Sequence, residues 1–199
     1  MTQTPATIPW RLFFVRILLP TILTITLFLA VIFFSILPTI EQNSLDRKRE
    51  MIRELTNSVW NILAKLEYDE QNKIITRKQA QKLAIDQIRN LHYGQQMKDY
   101  FWLNDMQPKM IIHPYRSDLN GQDLSQYADP KGKLVFVEMV NVVKKSGSGY
   151  VEYMWQWKDD ENRIVPKISF VKGFAPWGWV IGTGIYIEDV KQEISQITN

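Results

Sequence analysis

The chain has no cysteine and only two histidines among its 199 residues. That excludes disulfide staples, thiolate chemistry and cysteine-based zinc sites. No Gly-x-Ser-x-Gly nucleophile elbow occurs. Gly182-Thr183-Gly184 lacks the spacing of a phosphate-binding loop. Asp159, Asp160 and Glu161 are adjacent acids without the spacing that a calcium loop requires, so they read as a solvated turn. Excess charge is scarce too. Subtracting Arg11 and Arg16 from the 24 basic residues leaves 22 basic against 21 acidic residues in 41–199. A nucleic-acid surface needs clustered positive charge. The run Asp46, Arg47, Lys48, Arg49, Glu50 therefore reads as a solvated helix face, and no nucleic-acid partner is expected. Neither a cofactor, a metal nor a catalytic set is called for.

One long apolar run is present. From Ile17 to Ile40 no residue is charged. As a helix this run reaches roughly 36 Å, enough to cross a bilayer core with some tilt. Pro20 and Pro38 fall near its ends, where a helix tolerates proline best. A cleaved signal peptide would have a shorter apolar core and small residues at a cleavage site. Ser35-Ile36-Leu37 fits that poorly, so the run reads as an uncleaved anchor. Arg11 and Arg16 precede it without an acid, and Glu41 and Asp46 follow, which favours a cytoplasmic N-terminus. The expected organisation is a cytoplasmic segment 1–16, a transmembrane helix 17–40, a domain 41–190 outside the cytoplasm and a C-terminal helix starting at 191–199.

Beyond the span, Leu45, Ile52, Leu55, Val59, Ile62 and Leu66 recur at helical spacing and predict a long helix over 44–67 with one apolar stripe. Such a stripe packs on a sheet or on a copy of itself. Thr76 and Gln79 form a capping-box pattern that opens a second helix, Thr76–Leu91. The stretch Tyr68–Ile75 reads as a loop. After Gly94 the pattern turns to strands: Tyr100–Asn104, Lys109–His113, Tyr150–Trp157, Ile164–Phe174 and Trp179–Ile187. A helix over Lys133–Lys145 interrupts them, and Glu188–Thr198 is helical again. Strands joined mostly by hairpins imply one antiparallel sheet, and the whole is α+β.

Strand parity assigns faces. Tyr100, Trp102 and Asn104 share one. Ile111 shares a face with His113, Val151 with Tyr153, Trp155 and Trp157, and Val165 with Lys167, Ser169 and Val171. A pocket for a small anion needs few cationic or N–H donors in an aromatic, water-poor wall. Lys167, His113, Trp102 and Tyr153 supply such a set, with Asn104 and Trp155 on the same faces. Lys167 interrupts an apolar strand; parity alone favours a solvent-facing lysine, since lysine is rarely buried, and His113 alone fits a core or loop histidine. Arg116 follows in the loop and is either exposed or able to close over a carboxylate. Gly182 and Gly184 suggest a bulge or a close backbone approach.

Five pieces in order, ITRKQAQKLAIDQIRNLHYG, KDYFWLNDMQPKMIIHPYRSDLNGQDLS, DPKGKLVFVEMVNVV, GYVEYMW and PKISFVKGFAPWGWVIGTGIYIEDV, resemble the extracytoplasmic Cache family of bacterial sensors, specifically the single-Cache type. The resemblance spans roughly Leu45 to Asp189. It implies a PAS-like antiparallel sheet of five to six strands with a long N-terminal helix behind it and a small carboxylate on the other face. It also implies a bacterial inner-membrane receptor for chemotaxis or a sensor histidine kinase, dimeric through the Leu45–Leu66 helix, whose C-terminal helix leads to a second span or an output module. Within it, the PK-x-S pattern favours Lys167 as a ligand contact, and the HP motif favours His113. Phe170 departs from the family's usual tyrosine and removes a hydroxyl donor. Two other readings remain open at this stage: an anchored binding protein without signalling, and an interaction domain with a filled core.

Overall fold

A computed structural model describes Trp10 and residues 14–198, with side chains as far as 193. The expected cytoplasmic segment therefore lies largely outside the described residues, as do the last side chains of 191–199. The chain divides into two compact units, Met1–Ser44 and Leu45–Asn199.

The first unit contains helix α1, Leu19–Val31, with single wider π turns at Phe14–Leu18 and Ile32–Ile36. Its large side chains are exposed. The continuous helical stretch Phe14–Gln71, of which α1 is part, is long and apolar enough to cross a membrane. The polar groups of α1 are internally satisfied: the hydroxyls of Thr21, Thr24 and Thr26 donate to the carbonyls of Ile17, Pro20 and Ile22 at 2.7–2.8 Å. That suits a segment surrounded by hydrocarbon, where an unpaired donor is costly.

The second unit is a six-stranded antiparallel sheet between helical layers. Helix α2 spans Leu37–Gln71 and buries Ile52, Thr56, Val59, Leu63 and Leu66. The expected stripe is correct in direction, but its centre runs through Thr56 and Leu63. Leu55 and Ile62 lie at its half-buried margins. Thr56 is tolerated because its hydroxyl donates to the Ile52 carbonyl at 2.7 Å. Helix α3, Arg77–Arg89, opens with the complete capping box read from Thr76 and Gln79. Helix α2 runs to Gln71, so the connection is shorter than Tyr68–Ile75.

The strands are β1 (His92–Tyr93), β2 (Asp99–Asp105), β3 (Met110–Ile112), β4 (Ser148–Trp157), β5 (Asp160–Phe174) and β6 (Trp179–Tyr186). Their order is β1-β2-β6-β5-β4, with β3 also on β2. The sequence reading lacks β1, which is too short to show alternation. Helix α4, Val135–Ser146, crosses one face, and α5, Ile187–Thr198, leaves the end of β6.

Alternation sorts the sheet as expected. Phe101, Leu103, Phe174, Trp179 and Ile181 pack with Val59, Leu63, Ala80, Ala84 and Ile88 of α2 and α3. Tyr100, Trp102, Val151, Tyr153, Trp155 and Val171 pack with Val135, Phe136, Met139 and Val140 of α4. Two parity assignments fail, both at irregularities. A register shift at Leu103/Asn104 turns Ile111 toward the helix side, away from His113. A second shift at Gln156/Trp157 removes Trp157 from the row of Tyr153 and Trp155; its indole donates instead to Asp189 at 3.0 Å.

Strand β4 forms the outer edge. Two of its outward groups are taken by the loop before α4: Asp129 accepts from the Met154 N–H at 2.9 Å, and Lys133 donates to the Glu152 carbonyl. Asp129 also accepts from the N–H groups of Lys131 and Lys133. These backbone donors outweigh burial and hold its carboxyl below the usual range.

Candidate ligand-binding site

Lys167 stands in register between Tyr153 on β4 and Tyr186 on β6. It is 1% exposed, which discards the solvent-facing alternative. Its Nζ donates to the Tyr100 hydroxyl at 2.9 Å and to the Tyr186 hydroxyl at 3.4 Å. It also lies 4.2, 4.8 and 5.5 Å from the ring centroids of Tyr100, Tyr186 and Trp102. No carboxylate pairs with it among the described residues. Burial therefore dominates and pulls the ammonium down to about 7, with the charge of Asp99 opposing only in part.

Two glycines make this packing feasible. A Cβ on Gly184 would lie 2.9 Å from Lys167 Cε and 2.2 Å from Ser169 Oγ. One on Gly182 would lie 2.4 Å from the Trp102 indole. The close approach foreseen at these positions is thus by side chains that cross the backbone of β6.

His113 follows β3 and is buried. Its Nδ1 accepts from the Arg116 N–H at 3.0 Å, which assigns the ring proton to Nε2. That nitrogen lies 3.1 Å from the Tyr100 hydroxyl. Burial, Lys167 and Arg116 keep the imidazole well below its ordinary pKa, so it is neutral. The Tyr100 oxygen consequently receives both the histidine and the lysine. Tyr153 shares a 3.0 Å hydrogen bond with Ser169. Trp155 contacts the rings of His113, Tyr127, Phe136 and Tyr153, and its buried indole N–H has no partner among the described residues.

Lys167, His113, Trp102, Tyr153 and Trp155 therefore converge. Asn104 is buried but engaged: its carbonyl accepts from Trp102 at 3.2 Å and its amide donates to the Asp105 carbonyl. It orients the indole. Arg116 is held by Asp118 through two bonds of 2.7 and 2.8 Å. Its backbone, rather than its guanidinium, serves the site.

Two residues central to this arrangement were not selected from sequence. Tyr100 was legible as the alternation partner of Trp102. Tyr186 was not, because its pairing with Lys167 depends on the β5–β6 register. Open space adjoins the cluster on two sides. A cavity of about 300 Å³ borders Arg116, Tyr127, Asp129 and Trp155. A second of about 630 Å³ reaches Tyr153 and Lys167 beside the Asp129–Lys133 loop. Trp102, Asn104 and His113 border neither cavity.

Comparison with known proteins matches the chain, in sequence and fold, to established ones. Residues 44–199 match the family model described as Single Cache domain 2. The methyl-accepting chemotaxis protein McpP of Pseudomonas putida is 39% identical over 149 residues, covering 75% of this chain and 27% of that protein. The sensor histidine kinase MctS of Rhizobium johnstonii is 35% identical over 153 residues, covering 76% of this chain and 32% of that protein. A solved structure described as the structural basis for carboxylic acid recognition by a Cache chemosensory domain is 39% identical. It superposes with a TM-score of 0.68, covering 73% of this chain and 97% of that one. The chain thus spans about a third or less of the length of these two full-length relatives.

Proposed function

Because this chain belongs to the single Cache domain 2 family, whose relatives here are a chemotaxis receptor and a sensor histidine kinase, we propose that its domain senses a small monocarboxylate outside the cytoplasm. One observation carries the reading. A lysine sealed from water, with no acidic partner, is held by tyrosine hydroxyls inside an aromatic wall. Such an ammonium is expensive alone, and a carboxylate supplies the missing charge. Tyr100 accepts from Lys167 and His113 and fixes both beside the aromatic wall. The unpartnered Trp155 N–H is a further donor. Trp102 and Phe136 flank the cluster and suit a short apolar tail. A neighbour described as recognising carboxylic acids supports the same ligand class.

In this reading the module binds and does not catalyse. Residues 17–40 anchor it in the bacterial inner membrane, residues 1–16 are cytoplasmic, and residues 41–190 face the periplasm. Ligand shifts the balance between two arrangements only by its differential affinity for them. Two chains pair along the Leu45–Leu66 stretch, and the helix from 191 leads toward a second span or output module. Calorimetric titration of the full chain in detergent with propionate is the test. Saturable binding is expected, weakened at least about tenfold in Lys167→Met, since a charged hydrogen bond contributes about 1.5–3 kcal/mol. Equal affinity in that variant would remove Lys167 from the site.

A further inference from the structure

A third cavity, of about 260 Å³, borders Tyr186. It is bounded by α2 at Lys48, the β1–β2 connection at Gly94–Gln96, Lys158 in the β4–β5 turn, and α5 at Asp189 and Glu193. Its charges are almost all spoken for. Lys158 pairs with Asp189 at 3.0 Å, and Lys48 with Glu193 at 2.9 Å. Nearby, Lys98 is bound to Asp159 at 2.7 Å. The carboxylate of Asp99 remains. It takes part in no hydrogen bond or ion pair among the described residues, although it is more than half buried.

The chain makes specific room for that carboxylate. Gly94 has φ +79, and a Cβ there would lie 2.1 Å from Asp99 Oδ2. Any other residue would be strained in backbone and would also displace the acid. Burial raises the Asp99 carboxyl against the pull of Lys158 and Lys167, as expected for a charge short of compensation.

A lone carboxylate in a small cavity selects its ligand class. A divalent metal needs several oxygen ligands, and no group of three metal-binding side chains occurs among the described residues. A primary ammonium needs one carboxylate and a few acceptors, and it gains from aromatic walls. Tyr93 and Tyr186 supply rings, that of Trp157 being engaged by Lys158 and Arg163, and Gln95 and Gln96 supply amide oxygens. We propose that this cavity is a second binding site, for a small primary ammonium compound held by Asp99. It adjoins the carboxylate site through Tyr186 and touches both α2 and α5, the helices that flank the sensor domain.

The experiment is calorimetric titration of the full chain in detergent with ethanolamine hydrochloride at neutral pH, using sodium chloride as the control. Saturable binding at one site is expected in wild type, weakened at least tenfold in Asp99→Asn. Gln96→Leu, at an exposed position where folding is not at stake, is expected to weaken ethanolamine several-fold. Absence of saturable ethanolamine binding into the millimolar range overturns the proposal. So does unchanged affinity in either variant. Failure of propionate alone to bind wild type would count against the carboxylate reading and leave this site standing.

Discussion

Lys167 illustrates a residue kept at the expense of the fold. Its ammonium falls from the ordinary 10.5 to about 7 in the folded chain. Between these values the unfolded chain binds more protons, so Lys167 makes stability rise with pH across the window from about 7 to 10.5. Below about 7 the full cost is present. Lys167→Met should therefore be more stable than wild type at pH 6, with the difference shrinking by pH 9; urea melts at the two pH values check this. The opposite slope, or none, would contradict the assigned burial of charge. Carboxylate affinity should run the other way. Above about pH 7 the free lysine is neutral, and binding should weaken by up to tenfold per pH unit, read by titration with propionate. Gly182→Ala makes a third test at this scale. Its methyl would meet the Trp102 indole at 2.4 Å, so a loss of about 1–3 kcal/mol and displacement of the aromatic wall are expected, seen in melting and tryptophan fluorescence.

Among the elements, the helices sit where local signals placed them, because capping and periodicity act within a few residues. The Thr76–Gln79 box is complete; Thr76→Ala should cost about 1 kcal/mol by chemical denaturation, without altering propionate affinity. Alternation likewise sorted Trp102, Tyr153, Trp155 and Lys167 onto the site face. What the sequence could not convey depended on pairing between distant segments. The shift at Leu103/Asn104 separated Ile111 from His113, and the shift at Gln156/Trp157 sent Trp157 to Asp189. Tyr186 joined the site only through its register with Lys167. Asn104 shares the expected face, yet its amide is consumed by neighbours, which no alternation pattern reveals. Two tryptophans show the same limit. The Trp60 indole reaches the Gly173 carbonyl at 2.9 Å and that of Trp177 reaches Glu70 at 2.7 Å, tying α2 to the β5–β6 hairpin across more than a hundred residues of chain.

At the level of the whole molecule, the absence of cysteine becomes a tool. Gln122 is exposed in the loop before α4. If residues 41–190 face the periplasm, Gln122→Cys should react with a maleimide that cannot cross the inner membrane, added to cells with a permeabilised outer membrane. Labelling only after the inner membrane is disrupted would reverse the proposed orientation. The exposed Asn61 of α2 offers the matching test of pairing. Asn61→Cys chains should cross-link in membranes if two copies meet along that helix, and should stay monomeric otherwise.

The clasp of Asp129 and Lys133 on β4 has an outcome separate from ligand capture. A sheet border whose amides and carbonyls stayed vacant would invite neighbouring molecules to add strands of their own. With Glu152 and Met154 on that rim already engaged by its own loop, strand addition by another copy is blocked along this part of the border. Releasing the clasp by Asp129→Ala should turn a dispersed sample into one that scatters light on concentration.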